Sequence, residues 1–238
     1  MKTVPNRLWL ILIFVFMTSF VFAKIPSTTK QLIVAVSNSW SSPNAKLYLY
    51  EKVKGKWKRV DGPIKSVIGK RGSGRGLGKV NLSKGPNKKE GDKKAPAGVF
   101  EIPFIFGSGA DHYKYPYKKM TKNSICVDDS NSKYYNQIVD KQKVDKDYHS
   151  FENMLLKSGL YSKGLFIAHN SKSIKGRGSC IFLHIRKSGW RATAGCTTVE
   201  RRVVEKIMKW LDPQKKPMFV LAPKSEISKL LPKGILIK

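Results

Sequence analysis

The chain has 238 residues, of which 41% are hydrophobic, so it is long enough and apolar enough to form a folded domain with a real core. Its 46 basic residues outnumber its 16 acidic residues and give a formal net charge of +30. Such a surface favours polyanionic partners, namely nucleic acid, anionic lipid or an acidic polymer, and composition alone excludes none of these three.

The N-terminus has the features of a secretory signal peptide over residues 1–23. Lys2 and Arg7 precede an apolar run at 8–22, and a small residue, Ala23, stands where cleavage is expected. The run is shorter than the roughly 20 residues that a membrane helix needs, so we expect cleavage and no stable membrane span afterwards. Export to the periplasm or cell wall argues against a nucleic-acid partner.

Residues 24–30 are predicted to be a linker, 31–222 a single folded domain and 223–238 a C-terminal tail. Alternating and β-branched runs predict strands at 31–36, 46–53, 56–60, 64–68, 100–106, 165–170, 181–185 and 218–221. Helices are predicted at 151–156 and 198–211, and the glycine-rich segment 72–78 is predicted to be a flexible loop. The fold class is therefore mainly β with a few helices.

The stretch 180–200 carries the strongest chemical signal. An apolar run at 181–185 predicts a buried strand, and a loop of small, polar and basic residues follows it. Thr197 and Glu200 then form the Thr-x-x-Glu pattern of a capping box, which predicts the start of the late helix. Cys196 would therefore stand immediately before a helix N-terminus.

This placement predicts a reactive cysteine. A helix N-terminus favours a thiolate, as do nearby guanidinium groups, and arginines stand at positions 186, 191, 201 and 202. His184 on the preceding strand and Cys196 can then converge as base and nucleophile, with backbone N–H groups at 195–197 facing an oxyanion. The alternative from spacing alone is a buried free cysteine beside a core histidine.

The other two cysteines and the histidines leave further alternatives open. If Cys196 is the reactive thiol, Cys126 and Cys180 either form a disulfide or are small buried hydrophobic residues. Cys180, His184 and His169 are conceivable metal ligands, but no metal-binding spacing supports them, so we expect no metal.

The segment 178–184 (GSCIFLH), followed by 193–196 (TAGC), resembles the active-site signature of the YkuD-type L,D-transpeptidase catalytic domain family. Segments 94–100, 126–129 and 210–213 are similar to the same branch of that family. The resemblance covers about residues 31 to 222. It implies a single YkuD-like catalytic domain of β-sandwich or barrel type that needs no cofactor or metal.

The resemblance also implies an activity on peptidoglycan. Cys196 would be the acylated nucleophile, His184 the general base and acid, and Gly195 the residue that shapes the oxyanion site. The thiolate would attack the carbonyl of the third residue of a tetrapeptide stem and expel the terminal D-alanine, and an amine would resolve the thioester. The stems carry carboxylates, which suits a basic exported protein.

One departure from the family pattern concerns substrate recognition. The commoner pattern has an arginine two residues after the cysteine, where this chain has Thr198, and Arg191 or Arg186 is the candidate that supplies a cation instead. His169, Asn170 and Thr197 are the other candidate substrate-binding residues. An L,D-carboxypeptidase and a non-catalytic basic peptidoglycan-binding protein remain alternatives, and the sequence indicates no oligomeric state.

Overall fold

The computed structural model describes residues 25–110 and 112–237, so the predicted signal peptide lies outside the described residues. Within those ranges the chain is mainly β, as predicted. The strands are β1 (Gln31–Ser37), β2 (Asn44–Val53), β3 (Lys56–Val67), β4 (Ser73–Arg75), β5 (Ala95–Glu101), β6 (Ile105–Gly107), β7 (Tyr117–Lys119), β8 (Ser124–Val127), β9 (Ile138–Asp140), β10 (Phe151–Asn153), β11 (Lys163–Phe166), β12 (Phe182–Ile185), β13 (Thr197–Val199) and β14 (Met218–Pro223). The helices are α1 (Arg201–Trp210) and α2 (Ile227–Leu230).

In the described part of the chain the strands form a mixed sheet of eleven and a small sheet of three. The large sheet has the order β4-β5-β14-β1-β2-β3-β13-β12-β11-β6-β7, and the small sheet has the order β10-β8-β9. β1 and β14 run parallel beside each other and are buried along their whole length. Their nearly continuous apolar sequences are typical of strands that are covered on both faces.

Helix α1 covers part of the large sheet but begins later than predicted. Residues 197–199 form β13, and the helix starts at Arg201 after the N-cap Glu200, which makes no side-chain capping hydrogen bond. The three β-branched residues of β13 are buried and pair in parallel with β12. This pairing outweighs the local capping pattern, so the predicted helix N-terminus directly after Cys196 is wrong.

Three further local predictions are wrong because tertiary pairing decided the conformation. Residues 151–153 form β10 against β8 rather than a helix, and the two strands predicted at 56–60 and 64–68 are one strand, β3, along β2. The glycine-rich segment contains β4, and a Cβ at Gly78 would lie 2.2 Å from the carbonyl oxygen of Val99. Glycine at position 78 therefore allows the backbone to approach Val99 closely, and it does not mark a flexible loop.

The predicted tail is packed onto the domain. Ile227 and Leu230 of α2, together with Ile235, are buried in the main hydrophobic core. Among the described residues, no helix combines the length and apolar character needed to cross a membrane.

Candidate active site

The parallel pair of strands β12 and β13 positions the two residues of interest. The register pairs His184 with Thr198, and it places Cys196, one residue before β13, alongside Phe182. Side chains alternate along a strand, so Phe182 and His184 share the face that lies opposite Leu183 in the main core. Cys196 and His184 therefore project from the same face of adjacent strands.

Both side chains line one cavity of about 380 Å³. Its wall combines the loop before β13 with residues from the small sheet and from the segment 88–93. Acidic and basic side chains both line it: Glu90, Asp128 and Glu152 on one hand, and Lys88, Lys93, Lys187 and Arg191 on the other. The volume lies in the range of small-ligand sites.

The Cys196 thiol is buried, and backbone groups of residues 180 and 182 contact it. Its Sγ accepts a hydrogen bond from the Phe182 N–H at 3.3 Å and donates to the Cys180 carbonyl oxygen at 3.5 Å. Burial raises the pKa of the Cys196 thiol, and the negative charge of Glu152 raises it further. A strand and not a helix follows the cysteine, so the helix N-terminus expected to favour a thiolate is absent, and burial acts in the opposite direction.

Three of the four arginines expected to stabilise a thiolate bind other side chains. Arg186 and Arg202 pair with Glu200, and Arg201 donates to the hydroxyl of Ser162. Of the four predicted arginines, Arg191 alone is among the cavity-lining residues of the described chain, and its side chain is exposed.

His184 is buried at the cavity wall, and two backbone carbonyls act on its ring. Its Nδ1 lies 2.9 Å from the Ile185 carbonyl oxygen, which can only accept, so Nδ1 carries the proton and Nε2 the lone pair. Burial lowers the pKa of His184 to about 4, although the carbonyls of Ile185 and Leu160 oppose the shift. A neutral imidazole at pH 7 is the form that a general base requires.

A family model for the L,D-transpeptidase catalytic domain, YkuD, matches residues 40–220. The chain belongs to this family. The matched range contains Cys196, His184 and every strand from β2 to β13, and it confirms the resemblance inferred from the sequence. No curated protein and no solved structure matches the chain.

In this L,D-transpeptidase domain an aromatic side chain that sequence reasoning missed packs on the histidine. The Tyr161 ring meets the His184 ring edge-on, with centroids 4.7 Å apart and planes at 90°. The Tyr161 hydroxyl donates to Glu152 Oε2 at 2.7 Å. No motif marks either residue, because Tyr161 lies in a loop and Glu152 reaches the site through the small sheet.

The loop before β13 is braced by a threonine. Thr193 Oγ1 donates to the Cys196 carbonyl oxygen at 2.6 Å and accepts from the Gly195 N–H at 3.1 Å. The Gly195 N–H, one of the predicted oxyanion donors, therefore has a partner within its own loop. A Cβ at Gly195 would lie 3.1 Å from the Lys94 carbonyl oxygen, so this residue also permits a close approach.

The predicted substrate-binding residues are not brought together. Arg191 lines the cavity, whereas Thr197 is buried in β13 and its neighbour Thr198 lines the cavity instead. His169 and Asn170 are not among the lining residues. The Asn170 side-chain amide donates to the carbonyls of residues 174 and 178 and so shapes the loop before β12.

The Cys126–Cys180 disulfide, one of two readings of the sequence, is present. It ties β8 of the small sheet to the residue whose carbonyl accepts from the Cys196 thiol. Cys180 is therefore not available as the metal ligand considered above. Across residues 25–110 and 112–237, no group of three or more His, Cys, Asp or Glu side chains is arranged to hold a metal ion.

Proposed function

We propose that this L,D-transpeptidase-family protein is an exported enzyme that acts on peptidoglycan stem peptides through a thioester on Cys196. The observation that carries the proposal is the convergence of Cys196 and His184 on one face of adjacent parallel strands, where both line the same cavity. A thiol and an imidazole that line one cavity can serve as a nucleophile and its base.

The pKa shifts of Cys196 and His184 indicate at which step the thiol proton is transferred. The raised pKa of the Cys196 thiol and the lowered pKa of His184 disfavour a thiolate–imidazolium pair before substrate binds. His184 Nε2 therefore takes the thiol proton as Sγ attacks the stem carbonyl. The carbon–sulfur bond forms, the bond to the D-alanine nitrogen breaks, and His184 returns the proton to that leaving nitrogen.

The thioester is then resolved by an acceptor. With an amine of a second stem or of a protein the product is a cross-link, and with water it is a tripeptide stem. The basic residues at the cavity, Lys93, Lys187 and Arg191, suit the carboxylates of such stems, and the net charge of +30 suits retention on the wall.

The test is incubation of the mature protein with purified tetrapeptide muropeptides, followed by mass spectrometry of products and of the protein. We expect an acyl adduct on the peptide that contains Cys196 and a loss of all turnover in Cys196→Ala. Arg59→Ala, a change of an exposed side chain on β3 that does not line the cavity, serves as the matched control and keeps wild-type turnover.

The products separate the alternatives. Cross-linked dimers support transpeptidation, tripeptide alone supports the carboxypeptidase, and tight sacculus binding without any product supports a binding protein. Turnover that persists in Cys196→Ala contradicts the assignment of the nucleophile. Export is tested by N-terminal sequencing of the secreted protein, which we expect to begin at Lys24.

A further inference from the structure

Acidic side chains form part of the cavity wall in an otherwise strongly basic protein. Of the 16 acidic residues in the chain, Glu90, Asp128 and Glu152 line the cavity that holds Cys196. We call these three carboxylates the acidic wall. Glu90 has an internal role, because its Oε2 accepts from the hydroxyls of Ser179 and Tyr135.

The other two members of the acidic wall have oxygens that nothing in the described chain occupies. Glu152 Oε2 accepts from Tyr161, while no hydrogen bond or ion pair in the described part of the chain reaches its Oε1. Asp128 Oδ1 is buried and has no hydrogen-bond partner among the described residues. A carboxylate oxygen that is removed from water without a partner, as Asp128 Oδ1 is, is costly, and a cationic ligand offsets that cost.

No ion pair in the described part of the chain joins Asp128 or Glu152 to a basic side chain, and the buried lysine of the cavity has other partners. Lys88, the most buried lysine at the cavity, donates to Asp92 at 2.7 Å and to the Lys89 carbonyl oxygen at 2.6 Å. The ionised groups that act on Glu152 are the carboxylates of Asp128 and Glu90. Burial, reinforced by these two like charges, raises the pKa of Glu152.

The small sheet positions Glu152 in the wall of the cavity that also contains Cys196. Glu152 on β10 lies opposite Cys126 on β8, and residues paired across two strands share a face. The disulfide links Cys126 to Cys180, and the Cys180 carbonyl contacts the Cys196 thiol. Glu152 and Cys196 line the same cavity, and the charge of Glu152 raises the pKa of the Cys196 thiol.

We propose that Glu152 and Asp128 bind the protonated amine of the acyl acceptor, so that the cavity selects an amine over water. This inference rests on the proposed acyl transfer through Cys196. A primary ammonium group offers three donors, which match the open oxygens of the two carboxylates and carry the opposite charge.

The same carboxylates make the bound amine reactive. The ammonium gives one proton to the Glu152 carboxylate, and the neutral nitrogen attacks the thioester carbonyl. The carbon–nitrogen bond forms, the carbon–sulfur bond breaks, and the second nitrogen proton passes through His184 to the departing sulfur. The products are an amide, the free thiol and a protonated Glu152, which then loses its proton to solvent.

The test measures how the thioester partitions between amine and water. Wild type, Glu152→Gln and Asp128→Asn are incubated with tetrapeptide muropeptide and increasing glycinamide, a cationic amine that lacks a carboxylate. We expect each variant to lower the ratio of amide to tripeptide by about tenfold, the effect of one charge-assisted hydrogen bond, while tripeptide formation continues. The side-chain amide in Glu152→Gln keeps an oxygen that can accept from Tyr161, so the packing around the substitution is preserved.

Glu205→Gln is the matched control, because Glu205 lies on α1 and is not among the cavity-lining residues. We expect it to leave the ratio unchanged. An unchanged ratio in both wall variants, with Cys196-dependent turnover intact, overturns the inference and leaves the proposed function standing. Equal losses of amide and tripeptide indicate a structural role and also overturn it. No acyl adduct on wild-type Cys196 rejects the proposed function, and the inference falls with it.

Discussion

His169 and His184 are both buried, yet the structure places them in different surroundings. Burial lowers the pKa of each to about 4. Each ring also meets an aromatic edge-on, Phe100 at 5.9 Å for His169 and Tyr161 at 4.7 Å for His184. Neither burial nor aromatic packing distinguishes the two residues.

The surroundings of their ring nitrogens distinguish the two histidines. His169 Nδ1 accepts from the Leu77 N–H at 3.1 Å and its Nε2 donates to the Arg177 carbonyl oxygen at 2.8 Å, so both nitrogens are committed to the backbone. His184 uses Nδ1 for the Ile185 carbonyl and lines the cavity with Cys196. A histidine acts as a base only where its ring can reach a substrate or nucleophile, so the position at the cavity, and not burial, marks His184 as the candidate.

The largest expected difference is in catalysis. We expect His184→Gln to lower kcat per folded molecule by about 10²–10⁴-fold, the contribution of a general base. His169→Gln should keep kcat per folded molecule within a few-fold of wild type while it lowers stability. Muropeptide turnover and denaturant unfolding of both variants are the measurements. Equal losses of kcat would contradict the difference in roles.

A smaller difference is expected in the response of stability to pH. Each histidine has a folded pKa near 4 and an unfolded value near 6.5, so the unfolded state binds more protons between these values. The free energy of unfolding therefore falls as pH is lowered through this window. From pH 6.5 to pH 5 each histidine should contribute a loss of roughly 1.5 kcal/mol.

His169→Gln removes one of the two contributions. We expect its unfolding free energy to fall about 1.5 kcal/mol less than that of wild type over pH 6.5 to 5, measured by urea unfolding at each pH. His112→Gln, which replaces an exposed histidine, is the control and should follow wild type. A wild-type slope in His169→Gln would mean that His169 is protonated as readily in the folded protein as in the unfolded one.

The two histidines also show what the sequence could and could not predict. The apolar run at 181–185 predicts a buried strand, and the GSCIFLH and TAGC segments single out His184 and Cys196 as a pair. Which nitrogens are occupied depends on Leu77 and Arg177, which are distant from each other in the chain, so His169 could not be distinguished from a substrate-binding residue.

The errors near Cys196 and in the small sheet have a common physical origin. Thr197–Val199 satisfies a capping pattern locally, but pairing with β12 stabilises a strand there. Phe151–Asn153 likewise pairs with β8. Long-range strand pairing places Glu152 near Tyr161 at the site. Local sequence patterns do not predict contacts of this kind, because they depend on the tertiary fold.

The smallest expected effect concerns the aromatic neighbour of His184. Tyr161→Phe keeps the ring that packs on His184 and removes the hydroxyl that donates to Glu152. We expect stability to fall by about 1 kcal/mol, the net value of one hydrogen bond, and kcat to fall by less than tenfold. Tyr161→Leu removes the edge-on contact as well and should lower kcat further, as measured by the same turnover assay. If Tyr161→Phe lowers kcat as much as Tyr161→Leu does, the hydroxyl and its carboxylate partner, rather than the ring, hold His184 in position. The two histidines then differ in the polar groups behind their aromatic neighbours as well as in their position relative to the cavity.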